Sequence, residues 1–333
     1  PHTPPDAHDS PTAPLSRPPM SLGSRVLTRL LFSVVVVYLV ISLTFGVVVM
    51  TPDSNLEGML GTAAFAGASE EELDQMRETY LEARGRDRPL VDRYVDWVID
   101  VTLFNLGTSP TTGEPVGGTV LDALGTTAAY LVPGTVVAWF VGVAAGLRSA
   151  RHAGSVGDRV GRAASYVLLG LPGFWIAALA IVLLGPASFR AGGLLWTVVV
   201  PAGIVATGLF AGQVSLTRSR SVDQYGEPYV RFLRAKGLTE NAIDRRVLRN
   251  VLVPVLSMTA AELFAVLVLA AVVVETVLGI DGIGHLAYVA AYENDIPLII
   301  GTTVSLAVVG VTGSLLSDLA SAWLDPRSRS RGA

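Results

Sequence analysis

Five uncharged apolar runs alternate with charged stretches along the chain: residues 30–50, 123–147, 163–189, 191–217 and 296–317. A sixth run, 251–280, is apolar except for Glu262 and Glu275. A bilayer core about 30 Å thick is crossed by about 20 helical residues, so each run is long enough to span it. The pattern predicts an all-α, polytopic membrane protein with six transmembrane helices. A cleaved signal peptide would have a shorter apolar region, roughly 7–15 residues, with a small-residue cleavage site close behind. Run 30–50 is longer, and we read it as a span. Pro133, Pro172 and Pro201 predict kinks or helix ends. Gly142-x-x-x-Gly146 and Gly208-x-x-x-Gly212 predict small faces on which helices approach closely.

Two polar stretches are patterned as helices. Within 51–122, Ser69-Glu70-Glu71-Glu72 fits a capping box, opening a helix with Leu73, Met76, Tyr80 and Leu81 on one side. Pro89 opens another, with Leu90, Tyr94, Trp97, Val98 and Val101 inward. The second stretch, 227–254, is amphipathic and basic, lying between two apolar runs. Pro228 suits the first position of a short helix ending at Lys236, and Gly237 suits the left-handed position that closes it. Thr239 then caps a helix whose apolar residues Ile243, Val247, Leu248, Val251 and Leu252 share one face, with Asp244, Arg245, Arg246 and Arg249 largely opposite. Two helices meeting at a glycine form an elbow.

Charge sorts these stretches by side. Arg148, Arg151, Arg159 and Arg162 surround the connection after the second run. Arg218, Arg220, Arg231, Arg234, Lys236, Arg245, Arg246 and Arg249 fill the one after the fourth, and Arg327, Arg329 and Arg331 close the chain. The connection after the third run holds Arg190 alone and the one between Ile280 and Leu298 holds no cation, while 51–122 carries 14 of the 28 acids. The excess of cations in cytoplasmic loops places the elbow and both termini in the cytoplasm. An ordinary basic cytoplasmic loop satisfies this charge rule as well as an elbow does.

Composition narrows the chemistry. Only 16% of residues are charged, and mean hydropathy is +0.53, as for an integral membrane protein. There is no cysteine, which excludes disulfides, thiolate metal sites and cysteine nucleophiles. Lys236 is the only lysine and lies outside any phosphate-cradling Gly-x-x-x-x-Gly-Lys-Ser/Thr loop, so any ATP hydrolysis belongs to a partner. The four histidines form no His-Glu-x-x-His pair and no Gly-x-Ser-x-Gly elbow occurs, so we expect no catalytic residue, metal or cofactor. Gly279-x-x-Gly282-x-Gly284 follows no strand, which argues against a dinucleotide loop. Residues 1–19, with seven prolines, read as a disordered leader.

An ionised carboxylate at mid-bilayer costs about 2.5–3.5 kcal/mol on insertion scales, so Glu262 and Glu275 are expected to face protein or water. They either line the pathway or, for Glu275, bond as a helix-end carboxylate to hairpin N–H groups.

The residues then carry a resemblance. Tyr229-Val230-Arg231, Arg234-Ala235-Lys236-Gly237-Leu238, Leu248-Arg249-Asn250 and Pro254 resemble the cytoplasmic coupling loop of ATP-binding-cassette importer permeases of the dipeptide, oligopeptide and nickel family. Arg231-Phe232-Leu233 replaces the wider family's Glu-Ala-Ala opening. Leu103-Phe104-Asn105-Leu106-Gly107-Thr108-Ser109 with Glu114-Pro115-Val116 is similar to the external region of the subunit type with a large first loop. Val274-Glu275-Thr276-Val277-Leu278-Gly279, Gly282-Ile283-Gly284-His285-Leu286, Asp295-Ile296-Pro297 and Leu324-Asp325-Pro326-Arg327 resemble the last two spans and the hairpin between them.

The resemblance implies a type I importer permease fold, divided as 1–19 leader, 20–50 N-terminus and first span, 51–122 external helical layer, 123–325 permease core and 326–333 cytoplasmic tail. The coupling loop is 218–253 within that core. It implies a plasma-membrane subunit forming half of a pathway for di- or oligopeptides. Expected partners are a second related permease, two cytoplasmic ATPases, an external substrate-binding protein received by the 51–122 layer, and lipid, but no nucleic acid. ATPase-coupling residues would be Tyr229, Arg231, Arg234, Ala235, Lys236, Gly237, Leu238, Arg249, Asn250 and Pro254. Pathway or outer-gate residues would be Glu262, Glu275, Gly282 and Gly284. Nickel chelates or oligosaccharides are alternative cargoes within the family. A secondary transporter would also have spans and membrane carboxylates but would need no elbow, and would carry inverted repeats.

Overall fold

The computed structural model describes residues 22–50, 54–83, 85, 87–186, 189 and 192–324, with side chains outside 22–23, 25, 54–55, 253–254, 257–270 and 316–324. The expected leader 1–19 and tail 326–333 lie outside the described residues, as do the side chains of Pro254 and Glu262. The elements are helices: α1 Leu22–Met50, α2 Ser54–Phe65, α3 Glu70–Ala83, α4 Leu90–Thr102, α5 Val116–Arg151, α6 Val156–Gly170 and α7 Gly173–Leu184. A single π-helical turn, Leu195–Val199, leads into α8 Val200–Gly226. Then come α9 Pro228–Ala235, α10 Glu240–Leu278, α11 Ile283–Tyr292 and α12 Ile296–Leu324. Four helices are long and apolar enough to cross a membrane, and six spans result if each of two bent pairs counts as one.

The centre of the fold is the pairing of α5 with α8. Gly142 and Gly146 make it close: an added Cβ would lie 2.7 Å from Gln213 Cβ at the first and 2.8 Å from Thr217 Cβ at the second. Gly134 faces the Ala202 carbonyl in the same way, at 2.6 Å. Small residues here let the two backbones approach as membrane helices do when no hydrophobic drive separates protein from lipid. Gly208, expected to serve similarly, faces open space.

The prolines act differently from one another. Pro133 sits inside α5 without ending it. Pro172 separates α6 from α7, which diverge by 94°. Pro201 lies, buried, just after the π-helical turn that leads into α8, and does not end the helix. The second bend, 82° between the end of α10 and α11, is set by Gly279 at φ +60, with Ile280 N–H closing on the Glu275 carbonyl at 2.9 Å.

In the acidic stretch the capping box is present. Ser69 N–H donates to Glu72 Oε2 at 2.8 Å and Glu72 N–H to Ser69 Oγ at 3.3 Å. These Ser69 bonds hold the Glu72 carboxyl below its ordinary value. Leu73, Met76, Tyr80 and Leu81 are half-buried. In α4, Tyr94, Trp97, Val98 and Val101 turn inward against α1: Tyr94 OH meets Ser42 Oγ at 2.7 Å and Trp97 Nε1 donates to the Ile41 carbonyl at 3.3 Å. Leu90 is exposed instead, because it sits at the first helical position before the buried stripe begins. Helix α2, which packs on α3, carries no sequence signal strong enough to predict it.

Candidate functional site

The elbow forms where its punctuation demands. Pro228 opens α9, and Gly237 adopts φ +76, a conformation that side chains resist. Gly237 N–H donates to the Arg234 carbonyl at 2.9 Å and Leu238 N–H to the Leu233 carbonyl at 3.2 Å, a paired closure that satisfies two carbonyls the helix end would leave bare. Thr239 starts α10 through its backbone carbonyl, which accepts from Ala242 and Ile243 N–H; its hydroxyl makes no capping bond. Arg234 bridges the two helices instead, donating to both Glu240 carboxylate oxygens at 2.9 and 3.3 Å and holding that carboxyl below its ordinary value.

One side of the elbow is anchored. Val230, Ile243, Val247, Val251 and Val255 are fully buried, with Leu233, Leu238, Leu248 and Leu252 packed against them and Trp139, Leu147 and Leu216 closing the cluster from α5 and α8. Burying each such side chain contributes about 1.5–3 kcal/mol relative to exposure. The expected apolar face of α10 is therefore the buried one. Tyr229, half-buried, and Asn250, exposed, reach back to α8: Gln224 Oε1, near its end, accepts from Tyr229 OH at 3.1 Å and from Asn250 Nδ2 at 3.2 Å. They hold the elbow to its stem.

The other side is open. Arg231, Arg234, Ala235, Lys236, Gly237, Arg245, Arg246 and Arg249 are exposed. Among them Phe232 is 58% exposed, with Lys236 Nζ 4.5 Å from its ring centroid. The pair sets an aromatic face and a cation side by side on the exposed basic surface. Sequence reasoning passed over Phe232, because an apolar residue in a short amphipathic helix reads as inward-facing.

At the far end of α10, about 50 Å away along a helix rising 1.5 Å per residue, Glu275 is fully buried. Its Oε1 accepts from Thr127 Oγ1 at 2.6 Å and Tyr130 OH at 2.7 Å, both on α5. Its Oε2 accepts from the N–H groups of Gly284 and His285 at 2.8 and 2.9 Å, at the start of α11. Thr127 Oγ1 in turn accepts from Ile283 N–H at 2.9 Å. The carboxylate thus binds hairpin N–H groups at a helix N-terminus, where the backbone favours negative charge. Gly282 and Gly284 make this approach achievable. A Cβ on Gly282 would collide with the Glu275 carboxylate, and one on Gly284 with the α10 backbone at Val272.

Beside this latch a cavity of about 620 Å³ opens between α5 and α11, lined by Glu114, Asp122, Asp281 and His285 together with Thr119 and Leu286. Nearby, Asp295 is buried and caps α12, accepting from Leu298 N–H at 3.1 Å and Ser109 Oγ at 2.5 Å. Among the described residues no group of three or more His, Cys, Asp or Glu side chains is arranged to hold a metal ion. Thr127 and Tyr130, single hydroxyls in an apolar run, carry no local signal of this role, and Ser109 was legible only as part of the external-region motif.

Residues 142–330, which take in both the elbow and the latch, match the family described as binding-protein-dependent transport system inner membrane component. The chain belongs to this family. It is a multi-pass membrane permease subunit of an ATP-binding-cassette importer, with the all-helical architecture described above. Among curated proteins it is 30% identical over 267 residues to the oligopeptide transport system permease protein AppB of Bacillus subtilis, covering 75% of this chain and 84% of that one. It is 28% identical over 318 residues to the metal-staphylopine import system permease protein CntB of Staphylococcus aureus, covering 91% and 97%. It is 30% identical over 269 residues to the oligopeptide transport system permease protein OppB of Mycobacterium bovis, covering 74% and 82%.

Proposed function

We propose that this permease subunit forms half of a pathway for di- or oligopeptides and takes its drive from cytoplasmic ATPases through the elbow. The carrying observation is the elbow's two-sidedness: a fully packed apolar base beneath an exposed face of Phe232, Arg231, Lys236 and Arg249. A rigid lever with an open contact face is what a push from a neighbouring subunit requires. On this reading the elbow and both termini lie in the cytoplasm, following the cation distribution. A second related permease completes the pathway, two ATPases sit beneath it, and the layer formed by α2 to α4 receives an external binding protein. Gly237 supplies the bend, and Arg231, Arg234, Lys236 and Arg249 the charge.

The latch at Glu275, Gly282 and Gly284 fixes the outer hairpin, and the acidic cavity beside it lies at the mouth. The cargo follows AppB and OppB, oligopeptide transport system permease proteins. A metal chelate, as in the name of CntB, is the second reading. Uptake of a labelled tripeptide into cells carrying the whole system, with and without excess nickel–histidine, separates them. Uptake that the chelate does not compete supports the peptide reading. Chelate uptake without peptide uptake rejects it.

A further inference from the structure

Two ion-pair ties join the turn between α5 and α6 to both helices that flank the elbow. In the first, Asp158, 3% exposed, receives Arg218 Nε at 2.6 Å and Nη2 at 2.8 Å from α8, Ser149 Oγ at 2.6 Å from α5, and Gly154 N–H at 2.9 Å from the turn itself. Arg162 lies farther off, at 3.8 Å. In the second, Arg151 Nη1 donates to Asp244 Oδ2 at 3.0 Å on α10, and Tyr225 OH, at the end of α8, donates to the other oxygen. Arg218 precedes the elbow and Asp244 follows it. The turn is therefore held from both sides of the lever by charge-assisted bonds, one of them bidentate and fixed in direction.

Beyond the turn, α6 runs to the 94° break at Leu171 and Pro172. Helix α7 on the other side is packed separately, with Ala177 in a cluster that includes Ile204, Val274 and Leu278. An apolar contact between the turn and the elbow could slide, whereas a buried carboxylate with donors from α5, α8 and the turn cannot shift without leaving donors unpaired.

We propose that Asp158 is a positioning residue through which displacement of the elbow reaches α6. The Asp158–Arg218 and Arg151–Asp244 ties make the α5–α6 turn travel with the elbow, and the Pro172 break lets α6 swing against α7. This rests on the elbow being the ATPase contact.

The chain has no cysteine of its own, so cysteines placed at Val160 on α6 and Val182 on α7, 62% and 74% exposed, take spin labels at chosen positions. The distance between them is measured in the complete transporter, without nucleotide and with ATP and orthovanadate. The expected result is a distance change in the otherwise native chain that is lost in Asp158→Asn and in Arg218→Gln, while ATPase association and ATP hydrolysis persist. Arg218→Lys, which keeps one charged bond, is expected to retain the change. A change of native size in Asp158→Asn, or none in the native chain, overturns the proposal. If Asp158→Asn does not assemble, Arg218→Lys against Arg218→Gln decides by the same distances, and equal behaviour of the two overturns it. Failure of the elbow reading shows elsewhere, as ATPase binding that survives Phe232→Asp.

Discussion

Glu275 ties α10 to α5 and α11. Four donors converge on it, three of them buried, and removing the carboxylate leaves them unpaired, at about 1–3 kcal/mol per buried donor. Glu275→Ala is therefore expected to lower the thermal unfolding temperature of the purified complex well below that of Glu293→Ala, at an exposed carboxylate just after α11. Equal shifts would mean the latch contributes little. The two hairpin glycines make a finer comparison. Gly282→Ala meets the end of a side chain, but Gly284→Ala meets backbone at Val272, so the second is expected to cost more stability and more mature protein in the membrane. The bonds from hairpin N–H groups match one of the two readings the sequence allows for Glu275, but its hydroxyl donors were not legible beforehand. Thr127 and Tyr130 lie 148 and 145 residues from Glu275, and a hydroxyl within an apolar run carries no sign of its partner.

Helices were easier to foresee than their bends. The elbow could be read because its signals are local: proline at its start, glycine at its end, and apolar residues at helical spacing in between. A kink or helix end is expected equally at Pro172 and Pro133, and only the first becomes a 94° turn while the second remains inside α5. The difference is tertiary: beyond Pro172, α7 packs through Ala177 against Ile204, Val274 and Leu278. The α5–α8 pairing offers a test at this scale. Gly142→Leu and Gly146→Leu each drive a branched side chain into α8, and each is expected to destabilise the chain by more than about 1–3 kcal/mol, the usual cost of overpacking. Gly208→Leu, at a glycine with nothing near it, is expected to be tolerated. Detergent-solubilised yield and unfolding temperature read both, and equal losses at all three positions would reject the close-approach account.

At the scale of the molecule, α10 runs unbroken from the elbow to the latch, so a displacement of one end is carried by a single helix toward the other. The ties at Asp158 and Asp244 add a second route into α6. Composition and charge sufficed for the membrane class and for the sorting of acids and bases along the chain, because those depend on sums over many residues. The apolar periodicity of α10 also told which of its faces is buried; it did not tell that Phe232 on α9 lies in the open. The central claim is that this open face receives an ATPase. It is tested most directly by co-purifying the ATPase with the permease carrying Phe232→Asp and Lys236→Glu, beside Phe65→Asp as a control at an exposed residue of the acidic stretch. Loss of the ATPase from the elbow variant alone, at native levels of membrane protein, is the result this account predicts; full retention with undiminished transport would contradict it.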